Sequence, residues 1–346
     1  MQKKVMLGMS GGIDSAMSAH ILKVMGYDVT AVNCCFYKSG PDSEKAIEDA
    51  GKAAEKLGLP FEVFDLRKPF YEKVIKNFTD TYMQGGTPNP CIVCNKNLKF
   101  GAMLDKALEE GFDYIATGHY ARIEKDEASG RYLLKKGADC TKDQSYVLYC
   151  LTQHQLSHTL FPLGDLTKDE VKKRNSEMEI VRDKGESQDI CFIPDGDYAA
   201  FIERETGLTF PEGDFVTVDG KILGTHKGII RYTVGQRKGL GLALPAPMYV
   251  KEKDTVNNRV ILCDNESLFT KELYATDINL IPFDRLDAPI RVKAKVRYKH
   301  QEQWATVTQE GELLHIIFDE PQRAIAKGQA VVLYDGDVVV GGGTIV

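Results

Sequence analysis

Two groups of residues in this chain have the types and spacing for chemistry. The first is Gly8-Met9-Ser10-Gly11-Gly12-Ile13-Asp14-Ser15, placed directly after the apolar run Val5 to Leu7 and directly before a helical pattern over Ala16 to Met25. A strand-to-helix turn of this composition suits phosphate. Paired glycines let the backbone approach an anion, Ser10 and Ser15 add hydroxyl donors, and the helix N-terminus adds partial positive charge. The spacing of a Walker loop, with its phosphate-binding lysine, is missing. Asp14 has the chemistry of a magnesium ligand. The second group is thiols. Gly85-Gly86-Thr87-Pro88-Asn89-Pro90-Cys91-Ile92-Val93-Cys94-Asn95 reads as a loop leading into a helix near Lys96. A thiol there is expected to be exposed, low in pKa and nucleophilic. Farther on, Glu186-Ser187-Gln188-Asp189-Ile190-Cys191-Phe192-Ile193 sets Cys191 between a polar loop and an apolar run, whereas Cys34, Cys35, Cys140, Cys150 and Cys263 read as buried thiols.

These groups must be positioned by two kinds of structure. To about Ala199, short apolar strands (Val5 to Leu7, Val29 to Phe36, Phe61 to Asp65, Tyr114 to Thr117) alternate with helical segments (Ala16 to Met25, Ser43 to Leu57, Leu98 to Gly111). That rhythm predicts an α/β domain with a parallel sheet, its ligands at the carboxyl ends of the strands. From about Gly213, short strands separated by Asp-Gly and Gly-rich turns predict β structure, with a boundary near Leu268 to Tyr274. The expected layout is a catalytic domain over 1–205, a small central β-rich domain over 206–270 and a C-terminal β-barrel over 271–346. At 346 residues the chain has room for two or three cores. No apolar run reaches membrane-spanning length and none reads as a signal peptide, so a cytoplasmic protein is expected. In that compartment eight cysteines point to catalysis, metal binding or burial rather than disulfides. A net charge of −6 leaves any RNA to be held by local basic patches.

Ser-Gly-Gly-x-Asp-Ser resembles the pyrophosphate loop (PP-loop) of ATP pyrophosphatases, which split ATP into AMP and pyrophosphate. Further motifs follow in order: Thr87-Pro88-Asn89-Pro90 with Cys94-Asn95, Ala116 to Arg122, Lys142-Asp143-Gln144-Ser145-Tyr146, Asp189 to Ile193, Thr233 to Gly241, Val296-Arg297-Tyr298 and Gly341-Gly342-Gly343. Together they resemble, end to end, the bacterial tRNA-specific 2-thiouridylases. The resemblance implies ATP-dependent sulfur transfer to C2 of the wobble uridine in tRNAs for lysine, glutamate and glutamine. It implies ATP at Gly8 to Ser15, with Cys34 and Gly118 near the nucleotide. Cys191 would carry a persulfide from a cysteine desulfurase or sulfur-relay protein, and Cys94 would be the nucleophile that releases the sulfur by forming a disulfide with Cys191. The tRNA would be met by Asn89, Pro90 and Cys91 at the target base, by His119, Lys142, Asp143 and Gln144, and by Arg297, Tyr298 and Gln329 in the barrel. The uridine must turn outward to reach the thiols.

One position departs from the family pattern: Cys91 stands where familiar members have aspartate. Cys91, Cys94 and Cys191 are thus also candidate ligands for a [4Fe-4S] cluster with one open iron. Structural zinc would need a fourth ligand from Cys140, Cys150 or His119. In Ile290 to Lys299, period-two alternation puts five basic side chains on one strand face, either a phosphate-binding face or a solvated one. Gly235-Gln236-Arg237-Lys238-Gly239 is a basic turn or a structural hairpin. The rival enzyme class is an amide-forming or amidinating pyrophosphatase, which needs no redox-active thiol pair. A non-enzymatic tRNA-binding or sulfur-relay protein is the other class.

Overall fold

Strand β1 (Lys4–Gly8) is covered on both sides: Val5 and Leu7 enter one apolar cluster and Met6 another. This is the burial expected of the centre of a parallel sheet. The computed structural model describes residues 2–37, 41–182 and 190–346. Asp189 and the polar run Glu186 to Gln188 lie outside the described residues. After β1 come β2 (Asp28–Cys35), β3 (Phe61–Asp65), β4 (Tyr114–Ala116), β5 (Ala121–Lys125), β6 (Tyr132–Lys136) and β7 (Thr159–Leu160). Five of them form a wholly parallel sheet in the order β3-β2-β1-β4-β7. The order reverses beside β1, so a crevice opens at the carboxyl ends of β1 and β4.

Helices Ile13–Val24 and Lys168–Met178 bury Ala16, Met17 and Val171 in the cluster that holds Val5 and Leu7. On the other face, Phe100, Met103 and Leu104 pack with Met6 and Ile115. Two segments are wound as π-helix: Tyr71–Ile75, and Asn95–Ala102 directly after the helix Pro90–Cys94. Such turns recur at functional sites.

A four-stranded sheet follows, built from β8 (Gly213–Thr217), β9 (Ile222–His226), β10 (Tyr249–Asp254) and β11 (Arg259–Cys263), in the order β10-β11-β8-β9. The last six strands are β12 (Phe269–Leu280), β13 (Ile290–Lys295), β14 (Gln303–Glu310), β15 (Leu313–Arg323), β16 (Ala330–Asp335) and β17 (Val338–Ile345). They run β12-β15-β14-β13-β16-β17 and close through β12–β17 pairing into a barrel. Closure is tight at the terminal glycines. A Cβ on Gly341 would lie 2.1 Å from the Asn279 carbonyl oxygen, and one on Gly342 2.2 Å from that of Val331.

The β5–β6 hairpin of the first domain is unforeseen: it joins the barrel sheet. β6 pairs with β17 at Lys135 and Val338, and Lys136 N–H donates to the Asp337 carbonyl at 2.8 Å. No helix among the described residues is long and apolar enough to cross a membrane.

Candidate active site

The loop from Gly8 to Ser15 leaves the carboxyl end of β1 and is tied to β2, where Met9 N–H donates to the Val32 carbonyl at 2.8 Å and Asn33 Nδ2 to the Met9 carbonyl at 2.9 Å. The Met9 and Ile13 side chains are buried anchors. Gly11 has φ +78°, and a Cβ there would lie 2.9 Å from Ala50 N, so the loop can follow this path only with glycine. The hydroxyls of Ser10 and Ser15 are 3.2 Å apart. Helix Ile13–Val24 starts at Gly12 with no side-chain cap. Its first N–H groups are thus open to an anion.

Asp14 is engaged. Lys168 Nζ lies 2.8 Å from each carboxylate oxygen, and the Tyr120 hydroxyl donates to Oδ1 at 2.8 Å. Lys168 thus pairs with the same carboxylate that the sequence marks as a magnesium ligand. Gly118 runs against the same turn, and a Cβ on it would be 2.9 Å from the Asp14 carbonyl carbon.

The thiols come from three elements and lie within electrostatic reach of one another. Cys34, at the end of β2, is half-buried with Sγ 3.8 Å from Met103 Sδ, and burial pushes its thiol up to about 12. Asn89 caps the helix Pro90–Cys94 by accepting from Ile92 N–H at 3.4 Å, with Pro90 in the first turn. The helix therefore begins several residues before Lys96, and this corrects the expectation for Cys94. Cys91 is the exposed thiol of the first turn, while Cys94 closes the helix, buried among apolar side chains. Burial pushes the Cys94 thiol up to about 12, and the neighbouring Cys191 and Cys91 thiols add to that rise. Cys191 is exposed, yet the surrounding protein and Cys91 raise its thiol as well.

Lys99, which the sequence reading missed, lies in the π-helical turn after Cys94 and opposes each of these shifts. Its ammonium lowers the thiols of Cys34, Cys94 and Cys191, and helps hold His119 neutral. Among the described residues no group of three His, Cys, Asp or Glu side chains is gathered to hold a metal ion. Of the remaining thiols, Cys150 and Cys263 are buried and Cys35 is half-buried, but Cys140 is exposed, contrary to the reading of it as a core residue.

Several residues assigned to tRNA make intramolecular contacts. His119 is buried between Phe100 and Phe161, with Nδ1 2.6 Å from Thr117 Oγ1, and burial holds it well below the usual histidine range. Asp143 accepts from Gly137 N–H and Ser145 N–H, and Gln144 Oε1 accepts from Tyr120 N–H. Lys142 is half-buried beside them. Gln329 Nε2 donates to the carbonyls of Thr87 and Pro88 at 3.0 and 3.1 Å, and Lys253 Nζ to that of Gly86 at 3.2 Å. The thiol loop is therefore held by both β domains.

The basic face over Ile290 to Lys299 is shorter than expected. β13 ends at Lys295, and Arg297 turns inward to donate to the carbonyls of Val234 and Ala324. The Tyr298 hydroxyl donates to the Asp143 carbonyl at 3.1 Å. The Gly235 turn is structural, since its N–H donates to the Val250 carbonyl and Val250 N–H to that of Gln236.

A parallel sheet in this order, with a glycine–serine loop at the switch point and an uncapped helix behind it, defines an ATP-utilising α/β domain of the pyrophosphate-loop class. The family model for the tRNA methyl transferase HUP domain matches residues 3–195, that for the tRNA methyl transferase PRC-barrel domain 199–264, and that for the aminomethyltransferase beta-barrel domain 270–345. The chain is 52% identical to the tRNA-specific 2-thiouridylase MnmA of Clostridioides difficile, over 100% of this chain and 98% of that one. It is 48% identical to the proteins of that name in Acetivibrio thermocellus, covering 99% of each chain, and Clostridium acetobutylicum, covering 100% of each. The chain belongs to the tRNA-specific 2-thiouridylase MnmA family.

Proposed function

We propose that this protein replaces the C2 oxygen of the wobble uridine in tRNAs for lysine, glutamate and glutamine with sulfur, using ATP and a cysteine persulfide. The uridine oxygen attacks the α-phosphorus of ATP held at Gly8 to Ser15, and pyrophosphate leaves. The terminal sulfur of a persulfide on Cys191, loaded by a desulfurase or relay protein, then bonds to C2. The Cys94 thiolate attacks Cys191 Sγ, a Cys94–Cys191 disulfide forms, and the S–S bond to the transferred sulfur breaks. That sulfur gains the electron pair, and AMP departs from C2. Two external thiols, or one dithiol, then supply two electrons and two protons and reset the pair, becoming a disulfide themselves.

What supports this reading is that the Cys94, Cys191 and Cys91 thiols and the Lys99 ammonium lie within electrostatic reach of one another, in a chain of the 2-thiouridylase family. An amide-forming pyrophosphatase has no use for such a group. Magnesium would accompany ATP through the phosphates, and no step runs through a protein-bound metal. The deciding experiment is mass spectrometry of anticodon nucleosides after unmodified tRNA is incubated with the protein, ATP, magnesium and a persulfide source. Thiolated uridine is expected, and AMP formation without it would return the chain to the rival class.

A further inference from the structure

Residues 8–22, the loop and most of the helix behind it, contain no lysine or arginine, so the loop itself offers an anion only N–H groups, serine hydroxyls and a helix end. A triphosphate there brings several negative charges beside the Asp14 carboxylate, where a Walker loop would supply its own lysine. An ammonium does stand at this turn, and it comes from 154 positions away. Lys168 opens the helix Lys168–Met178, whose start is fixed by the Thr167–Glu170 capping box and by Asp139, which accepts from Lys168 N–H at 3.0 Å. With the backbone held, the flexible stem carries Nζ to 2.8 Å from both Asp14 oxygens and 5.7 Å from the Tyr120 ring centroid, while the Tyr120 hydroxyl donates to Asp14 Oδ1. Asp14 is fixed in turn, since Ser18 Oγ donates to its carbonyl at 2.8 Å. A carboxylate in the first turn of a helix is already favoured by the helix end and needs no ammonium to be stable there. Ordering and desolvating a lysine, by contrast, costs free energy. The lysine is therefore what the arrangement holds in place.

We propose that Lys168 is the phosphate-binding cation of this loop, and that its ammonium, positioned by Asp14, binds the β- and γ-phosphates of ATP. When the uridine oxygen bonds to the α-phosphorus, the bond from that phosphorus to the bridging oxygen breaks and its electron pair stays on pyrophosphate. The ammonium meets the charge that gathers there. Asp14 is in this respect a positioning residue, acting through Lys168. The inference rests on the reading that ATP occupies Gly8 to Ser15 and adds to it a contact from a distant helix.

The test is calorimetric titration of the full chain, without magnesium or tRNA, with α,β-methylene-ATP and separately with AMP. Lys168→Met is expected to weaken the triphosphate about tenfold or more and to leave AMP binding unchanged. Asp14→Asn should also lower the ratio of triphosphate to AMP affinity, whereas a carboxylate that merely neighboured the phosphates would raise it on removal. Should Lys168→Met fail to fold, the double variant Asp14→Asn with Lys168→Met, which leaves neither charge unpaired, carries the same comparison. Unchanged triphosphate affinity, or an equal loss for both nucleotides, would overturn the assignment of Lys168 and leave ATP at the loop. A wild-type chain that binds neither nucleotide would overturn the loop reading as well.

Discussion

Lys168 closes on Asp14 across 154 positions of sequence, its ammonium 2.8 Å from each carboxylate oxygen. The side chain of Lys168 is 10% exposed and that of Asp14 34%, so either partner left alone keeps a poorly solvated charge. A double-mutant cycle of Asp14→Ala and Lys168→Met, read by urea unfolding, is expected to show a coupling of about 0.5 to 3 kcal/mol. Independently of stability, Asp14→Ala and Ser10→Ala should bind tRNA and form no AMP. Wild-type AMP formation in either would contradict the assignment of the loop.

Cys94→Ser and Cys191→Ser are each expected to abolish thiolation of tRNA. Cys91→Asp should retain much of it, because Cys91 is an exposed neighbour of the reacting pair. Anticodon nucleoside analysis of the three variants tests this, and an inactive Cys91→Asp would make Cys91 a third essential thiol.

Lys99→Met should raise the pKa of Cys94 and Cys191, since the lysine lowers both. At fixed pH less thiolate is present, so alkylation of Cys191 should slow and its pH profile should move to higher pH. Thiolation should fall with it, with tRNA affinity unchanged. An alkylation profile identical to wild type would remove Lys99 from this role.

Burial lowers Lys253 from 10.5 to about 8. Below pH 8 the folded protein must hold a desolvated ammonium, whereas the unfolded chain keeps its proton until about 10.5, so this group makes stability rise with pH across that window. Lys253→Met removes the penalty of up to about 3 kcal/mol. The variant's advantage in denaturant unfolding is expected at pH 7 and should shrink as pH climbs through 8, offset throughout by loss of the bond to Gly86. A stability difference that does not vary with pH would show that Lys253 is not desolvated.

What the sequence made readable was local. The turn from β1 into its helix is encoded within a dozen residues, where glycines, serines and strand periodicity agree, and the β texture after Gly213 is likewise written in its turns. The misreadings concern distance and direction. Asn89 and Pro90 carry a cap-and-first-turn signature that places Cys94 at a helix end, but nothing local says which way that end faces. Thr167 and Glu170 form a capping box at the start of the helix Lys168–Met178, a signal the sequence analysis passed over. That the second residue of this box, Lys168, reaches Asp14 is a property of the sheet order. Arg297 continues the alternation of β13 in sequence, yet the strand stops at Lys295 and the guanidinium satisfies two carbonyls of other segments.

The hairpin that leaves the catalytic domain to pair with β17 makes the barrel something other than a detachable cassette. A chain cut after residue 270 would strip β6 of its barrel partner β17, leaving β5 on its other side, and open a backbone edge beside the nucleotide-binding core, the kind of edge that recruits other chains. Recombination that exchanged barrels between relatives would have to preserve that ladder as well as the hydrophobic seam, so the two ends of this protein are constrained to change together.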